Sequence, residues 1–497
     1  MVGAVWYRTA MKATLLLSIA LLSSSLACSS APQGASAAPQ GAADFAVSEE
    51  VQAQVDRIID TMLVEGQAYS KLGELCRVAP HRLSGSPGAA TAVEWARQKM
   101  IADGLENVRL EPCTVPRWVR GQTERLSFTA PASLAGQSLP LLALGGSIAT
   151  PQGGLEAEVV VVQSFEQLAG LGEAARGKIV LFNRPMQDSL ANTFPAYGGA
   201  VNQRVGGADA ASKAGALASI SRSMTTLRDD RPHTGTMRYS GEQAQVPAAA
   251  VSTNGADQIA ALVAAGVSVR LRLELDCRTE EPVESFNVVG ELVGTEFPDE
   301  VIVIGGHLDA WDVGEGAHDD GAGCVQSMEA LRVLKQLDLR PRRTLRCVLF
   351  MNEENGTAGG KAYYQDHLAE MQQHVMALES DSGGFTPRGF GASMGDAAFA
   401  IFEELVKPLA RTGATLARRG GGGADIGPMG ASQVPLVGYI PDSQRYFDYH
   451  HSEADLFSAV NARELHLGAA AMAALVWQVA NLDEPLPRDV NKAAPGE

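Results

Sequence analysis

Between residues 286 and 482 the hydrophobic pattern switches repeatedly between short apolar runs and longer segments of helical period. Residues 301–304 (VIVI), 345–350 (LRCVLF), 375–378 (VMAL) and 435–440 (PLVGYI) predict buried strands. Residues 323–337, 359–371 and 463–480 predict the helices between and after them. Alternation of this kind builds a mainly parallel sheet covered by helices, so the fold class is α/β. In such sheets ligands bind outside the carboxyl ends of the strands.

The residues just beyond these strands are those that bind cations. The first strand leads into GGHLDAWDVGEGAHDDGAG (305–323), which carries His307, Asp309, Asp319 and Asp320 on glycine-rich backbone. The second leads into Glu353-Glu354, the third into Glu379-Ser380-Asp381, and the fourth, after a loop, into His450-His451. Mixed nitrogen and oxygen donors suit Zn²⁺ with a position left for water. Two adjacent glutamates at a strand end point in different directions, so one can ligate while the other serves as a base with a raised pKa. Other candidates read as structural. His233, His374 and His318 are expected to be ordinary surface or core groups. Cys324 lacks a base to activate it, and Cys324 and Cys347 sit in apolar stretches, as core residues do. Residues 420–423 (GGGG) lack the Lys-Ser/Thr of a phosphate loop and predict a mobile loop at the mouth of the site.

Charge and the N-terminus bound the setting. A formal net charge of −17 argues against nucleic acid as a partner, because phosphate binding needs clustered Lys and Arg. Residues 1–28 read as an export signal: basic residues at Arg8 and Lys12, an apolar run at 15–22 too short to span a bilayer, then Ser25-Leu26-Ala27-Cys28. The Ala-Cys end matches a bacterial lipoprotein box with Cys28 as the lipidated residue. Ser25 stands where that box prefers Leu, which leaves plain secretion open. Residues 29–45 are rich in Ala, Pro, Gly and Ser, repeat APQGA, and predict a flexible tether. The expected location is the periplasm or outer membrane of a bacterium, with membrane contact only through the lipid anchor, or else the exterior. Outside the cytoplasm disulfides are permitted, and Cys113–Cys277 is the pairing that could staple the middle segment.

The middle segment, 116–280, has a different texture. Residues 159–162, 177–182 and 267–275 predict strands, 208–220 predicts a small-residue helix, and few acids lie near any His. It is expected to be an inserted domain without metal chemistry of its own. Residues 47–75 and 91–103 predict helices that belong with the last part of the chain.

Gly306-His307-Leu308-Asp309, Trp311-Asp312-Val313-Gly314, Asp319-Asp320-Gly321, Glu353-Glu354, Glu379-Ser380-Asp381 and His450-His451-Ser452 resemble, in order and spacing, the co-catalytic zinc peptidase family of bacterial aminopeptidases and glutamate carboxypeptidases. Outside these motifs, Asn107-Val108, Val119-Arg120-Gly121, Ala211-Ser212-Lys213 and Pro232-His233-Thr234-Gly235 extend the resemblance over nearly all of the chain after the tether. It implies a peptidase domain in two parts, 46–115 and 281–485, with a short tail at 486–497. Gly177-Lys178-Ile179-Val180 and Ala214-Gly215-Ala216 resemble the protease-associated domain, which would cap the cleft and carry part of a homodimer interface. The resemblance implies two Zn²⁺ per chain and a peptide substrate. His307 and Asp381 would hold one zinc, Glu354 and His451 the other, with Asp319 bridging. Glu353 would be the general base for a water shared by the metals. Asp320 would shape a strained loop. Asp309 would hold the free N–H of His307 and Asp455 that of His451, while His450 would contact the oxyanion. The expected activity is exopeptidase action on dipeptides or short peptides. Aminopeptidase or aminoacyl-amide hydrolysis and a non-catalytic binding homologue are the alternatives.

Overall fold

The computed structural model describes residues 47–488. The export signal with Cys28, the tether and residues 489–497 of the tail lie outside the described residues. Among the described residues no helix is long and apolar enough to cross a membrane.

An eight-stranded mixed sheet organises the part of the chain that carries the candidate motifs. Its order is Glu106–Val119, Arg278–Leu292, Arg343–Phe350, Phe297–His307, His374–Glu379, Leu436–Pro441, Pro387–Ser393, Leu416–Arg419. The four strands from Arg343–Phe350 to Leu436–Pro441 run parallel to their neighbours within this group. Their apolar continuity follows from burial on both faces, as parallel sheets require: Ile302, Leu345 and Leu378 are fully buried on one face and Val303, Val348 and Ala377 on the other. The register aligns their carboxyl ends, pairing His307 with Phe350 and Gly305 with Glu379. Everything that follows these strands therefore opens onto one edge of the sheet.

Helices cover the sheet, and their ends are written in the sequence. Ser86 caps Pro87–Ala102 by accepting from Ala89 N, and Pro87 occupies the first turn where no N–H is needed. Asn461 caps Ala462–Ala480 through Arg463 N and Glu464 N. This closing helix is rich in alanine because it packs tightly against Ala322–Gln336; a Cβ on Gly468 would collide with the Gln326 side chain.

The ribbon of Glu106–Val119 against Arg278–Leu292 leads away from this sheet into a second one. The second sheet also has eight strands, in the order Ser138–Leu139, Glu124–Ala130, Arg270–Leu275, Leu155–Val162, Ile179–Phe182, Ala218–Arg222, Ala248–Val251, Leu141–Ala143. Trp118 and Trp311 meet edge to face at 6.4 Å where the two parts join.

Two expectations are corrected. The helix expected at 208–220 ends early: Gly207–Lys213 is helical, and Ala218–Arg222 is a buried strand. Gly215 lies just beyond that helix at φ 74°, a left-handed conformation that glycine adopts without strain. A short, fully buried strand carries no period that separates it from a helix. Cys113 and Cys277 are both free. Cys113 pairs with Ser285 across the ribbon while Cys277 lies beyond the Val119–Arg278 pair, which separates them by about 20 Å of strand rise. A disulfide needs Cα atoms within about 7 Å.

Candidate metal centre

The carboxyl ends of the four central strands deliver His307, Glu353, Glu354, Asp381, His450 and His451 to one place, and the loop after His307 adds Asp319. Asp319 is central. Its Oδ1 lies 3.3 Å from His307 Nε2 and its Oδ2 lies 3.2 Å from His451 Nε2. His307 Nε2 is 3.5 Å from Asp381 Oδ1, and His451 Nε2 is 3.0 Å from Glu354 Oε2. These atoms converge without hydrogen bonding: His307 Nε2, Asp319 Oδ2 and Glu354 Oε1 are buried with no hydrogen-bond partner. Four zinc ligands at about 2.0–2.1 Å in a tetrahedron stand about 3.3 Å apart, the spacing seen here.

The outer nitrogens of both imidazoles point at carbonyls. His307 Nδ1 donates to the Asp309 backbone oxygen at 3.0 Å, and His451 Nδ1 donates to the Thr234 oxygen at 3.4 Å. A carbonyl only accepts, so His307 Nδ1 carries a proton, and Nε2 is the nitrogen of each ring that faces Asp319 and would ligate a metal on losing its proton. The residues present therefore fit metal binding: two imidazole Nε2 atoms and several carboxylate oxygens, buried and aimed at a shared volume.

Asp309 holds the His307 N–H as expected but through its backbone oxygen, and Asp455 does not reach His451. The Asp309 carboxylate lies 3.9 Å from His307 Nδ1. Its Oδ1 instead accepts from Asn352 N at 2.7 Å and Glu353 N at 3.1 Å, and so fixes the turn that aims Glu353. Asp455 makes no bond to His451; it accepts from His318 N at 2.7 Å and Asp319 N at 3.1 Å. A side chain's reach along sequence does not predict its partner when a neighbouring strand end offers unpaired N–H groups. Asp320 also holds backbone, accepting from His307 N and Gly323 N at 3.0 Å each. The Asp319–Asp320 peptide is cis. Gly306 has no room for a Cβ, which would collide with the Asp320 carboxylate and approach the Ser380 oxygen.

Asn352 (φ 74°) and His451 (φ 61°) occupy the left-handed region, uncommon for residues with a Cβ and concentrated at functional sites. Burial, helped by the Asp381 and Glu354 charges and opposed by His307, pushes the Glu353 carboxyl well above its ordinary range. Burial with the Asp319 charge raises Glu354 to about 7. Against its own burial, Asp319 is held well below the usual range by His307 and His451. His450 stacks on His451 at 3.5 Å, and its Nε2 lies 3.8 Å from Asp319 Oδ2. His318 stacks on Phe385 at 4.1 Å and less closely on Tyr449 at 5.1 Å, with Nδ1 accepting from Gly384 N.

Several supporting residues were not legible in the sequence. Arg82, fully buried, donates to the carbonyls of Leu308, Glu315 and Gly316 at 2.6–2.7 Å and pins the whole loop before Asp319. In the sequence it is one basic residue in a Gly/Ser/Pro loop. Thr234 and Arg204 reach His451 from the middle segment, more than two hundred residues away. Thr234 stands in the Pro232-His233-Thr234-Gly235 phrase, which was the one available signal.

A buried set of imidazoles and carboxylates at the carboxyl edge of an α/β sheet defines a metal-binding protein. Residues 287–476 match peptidase family M28. Carboxypeptidase Q of Bos taurus is 36% identical over 448 residues, covering 89% of this chain and 92% of its own; that of Mus musculus is 37% identical over 424 residues, covering 85% and 88%. A solved peptidase M28 precursor from Shewanella amazonensis, 33% identical, superposes with a TM-score of 0.84 over 88% of this chain and 98% of its own. A zinc aminopeptidase from Bacillus subtilis, 19% identical, shares the fold at a TM-score of 0.62 over 84% and 96%. The chain belongs to peptidase family M28 and is a metallopeptidase.

Proposed function

We propose that this protein is an exported di-zinc exopeptidase acting on dipeptides or short peptides. The observation that carries the reading is Asp319, whose two carboxylate oxygens each face a different imidazole Nε2 at 3.2–3.3 Å. In this assignment His307, Asp381 and Asp319 hold one zinc, and Glu354, His451 and Asp319 hold the second. Zinc bound there supplies Lewis-acid polarisation of the scissile carbonyl and lowers the pKa of a nearby water. Glu353 lines the cavity beside these groups and takes the proton of the attacking water on its carboxylate. The same carboxyl then delivers that proton to the leaving amine nitrogen, which returns Glu353 to its starting state. His450, stacked against His451, donates toward the oxygen on which charge develops.

Similarity to carboxypeptidase Q over nearly the full chain supports a peptide substrate. The export signal read at 1–28, with Cys28 as the lipid-bearing residue, supports a location in the bacterial envelope. The 116–280 segment is assigned as a protease-associated-like insertion that narrows the cleft; it already contributes Arg204 and Thr236 to the cavity wall. A homodimer is part of the same reading.

The test is hydrolysis of unblocked dipeptides by the purified full chain. Activity should vanish on chelation and return with zinc. A protein that binds zinc yet hydrolyses no dipeptide, blocked or unblocked, would defeat the reading.

A further inference from the structure

The two halves of the metal centre are held by different parts of the chain. His307 ends the strand Phe297–His307, and Asp381 follows the strand His374–Glu379. The support of the His307 ring is local: the Asp309 oxygen, two residues on, at 3.0 Å. His451 has no strand beneath it. It follows the short helix Tyr446–Tyr449 on a loop, at φ 61°. A residue with a Cβ stays in that left-handed region only where its surroundings hold it.

The hold on His451 is a two-residue clasp from the middle segment, His233-Thr234. His233 Nδ1 donates to His450 O at 2.7 Å. Thr234 N donates to His451 O at 2.9 Å, and Thr234 O lies 3.4 Å from His451 Nδ1. Two consecutive carbonyls and the ring of the ligand segment thus meet residues 217 positions earlier in the chain. The clasp is anchored in turn to the ends of second-sheet strands. His233 N donates to Ser223 Oγ at 2.8 Å, and that hydroxyl donates to Val251 O at 2.8 Å. Thr234 Oγ1 donates to Ala143 O at 2.7 Å. His233 is buried and its Nε2 has no hydrogen-bond partner, so its ring serves the His450 carbonyl alone.

We infer that His233 and Thr234 are positioning residues of the second metal site. The middle segment then completes the seat of the zinc held by Glu354 and His451, and leaves the zinc held by His307 and Asp381 to the first sheet. This rests on the two-metal reading above and gives the middle segment a part in metal binding without a ligand of its own.

The test reads zinc affinity rather than turnover, on the full chain. Zinc is titrated against a competing chelator into the wild type, His233→Phe and His233→Asn. Phenylalanine fills the space of the ring without the donor, and asparagine restores an N–H near the place of Nδ1. One of the two zinc ions should bind about 10–100-fold more weakly in His233→Phe, the cost of losing a group that orients a ligand, with the other unchanged. His233→Asn should recover most of that loss. The weakening should persist in a His307→Ala background, which keeps the seat at Glu354 and His451, and vanish in His451→Ala, which removes it. Hydrogen exchange on the wild type gives a second reading that needs no variant to fold. The Thr234 N–H should exchange more slowly with zinc bound than without, because a clasp that favours zinc is favoured by zinc in return. Equal weakening of both ions, no weakening, a His233→Asn variant as weak as His233→Phe, or Thr234 exchange indifferent to zinc would overturn the inference while the wild type still binds two ions. A wild type that binds one zinc would sink the two-metal reading instead; the inference would then hold if His233→Phe weakens that ion and fail if it does not.

Discussion

Two buried clusters of charge, one between helices and one at the edge of the sheet, behave in opposite ways. Between the helices Ala68–Val78, Pro87–Ala102 and Ala322–Gln336, Lys71, Asp103, Glu329 and Arg332 form two cations against two anions. Lys71 Nζ lies 2.5 Å from Asp103 and 3.0 Å from Glu329, and Glu329 also accepts from Arg332 Nε and Gln67 N. None of these four side chains leaves a buried polar atom without a partner. At the carboxyl edge, four acids and two imidazoles converge with unpaired atoms and no lysine. Burying unpaired charge costs several kcal/mol per ion, so a fold keeps it only where something else answers it. The first cluster is structure complete in itself. The second is complete only with cations.

The largest contrast should appear on removing one carboxylate from each cluster. Glu353→Gln should lower kcat by about 10²–10⁴-fold with metal content unchanged, measured by steady-state kinetics and elemental analysis. Its stability should hold, because the amide matches the carboxyl in shape and leaves no buried cation unpaired. Glu329→Ala should do the reverse, losing about 3–5 kcal/mol in denaturant unfolding because Lys71 and Arg332 remain buried without it. The folded fraction of that variant should turn over normally. Comparable stability losses in both variants would erase the distinction.

A pH effect sharpens it further. His374 begins the strand that ends at Glu379, and both its nitrogens are satisfied, by Tyr363 Oη at 2.9 Å and the Glu370 carbonyl at 3.0 Å. Burial pushes this imidazole down to about 4 from an ordinary 6.5. The unfolded chain then binds the proton more readily between those values, so stability is flat above about pH 6.5 and falls as pH drops toward 4. The loss contributed by His374 reaches roughly 3 kcal/mol. His374→Gln should flatten the acid limb of a stability–pH curve; an unchanged limb would show that His374 is not its source.

The smallest expected effect separates two roles for Asp309. Because its carboxylate holds Asn352 N and Glu353 N rather than the His307 ring, Asp309→Ala should cost about 10–100-fold in activity with metal affinity little changed. A matching loss of metal would put the carboxylate on His307 after all.

Much of this arrangement was legible in the chain. Continuous apolar runs marked the four central strands, and their polar exits marked His307, Asp319, Glu353, Glu354, Asp381 and His451. What the sequence hid was long-range. Arg82 reads as a solvated loop residue until three carbonyls from 308–316 surround it. The support of His451 comes from Thr234, across the joint between the two sheets. Asp309 and Asp455 were placed near the right groups but on the wrong atoms, since local spacing says nothing of which backbone N–H groups a distant loop leaves open. The ribbon strand Arg278–Leu292 escaped notice because its outer half, RTEEPVE, is polar on both faces, with most of its residues exposed.

The central claim is that the unpaired cluster is a two-metal site joined by Asp319. Zinc content per chain in the wild type and in Asp319→Ala, after equilibration against buffered zinc, tests it most directly. Two zinc ions in the wild type and loss at both positions in the variant are the predicted result. Two tightly held zinc ions without Asp319, or a single ion in the wild type, would contradict it.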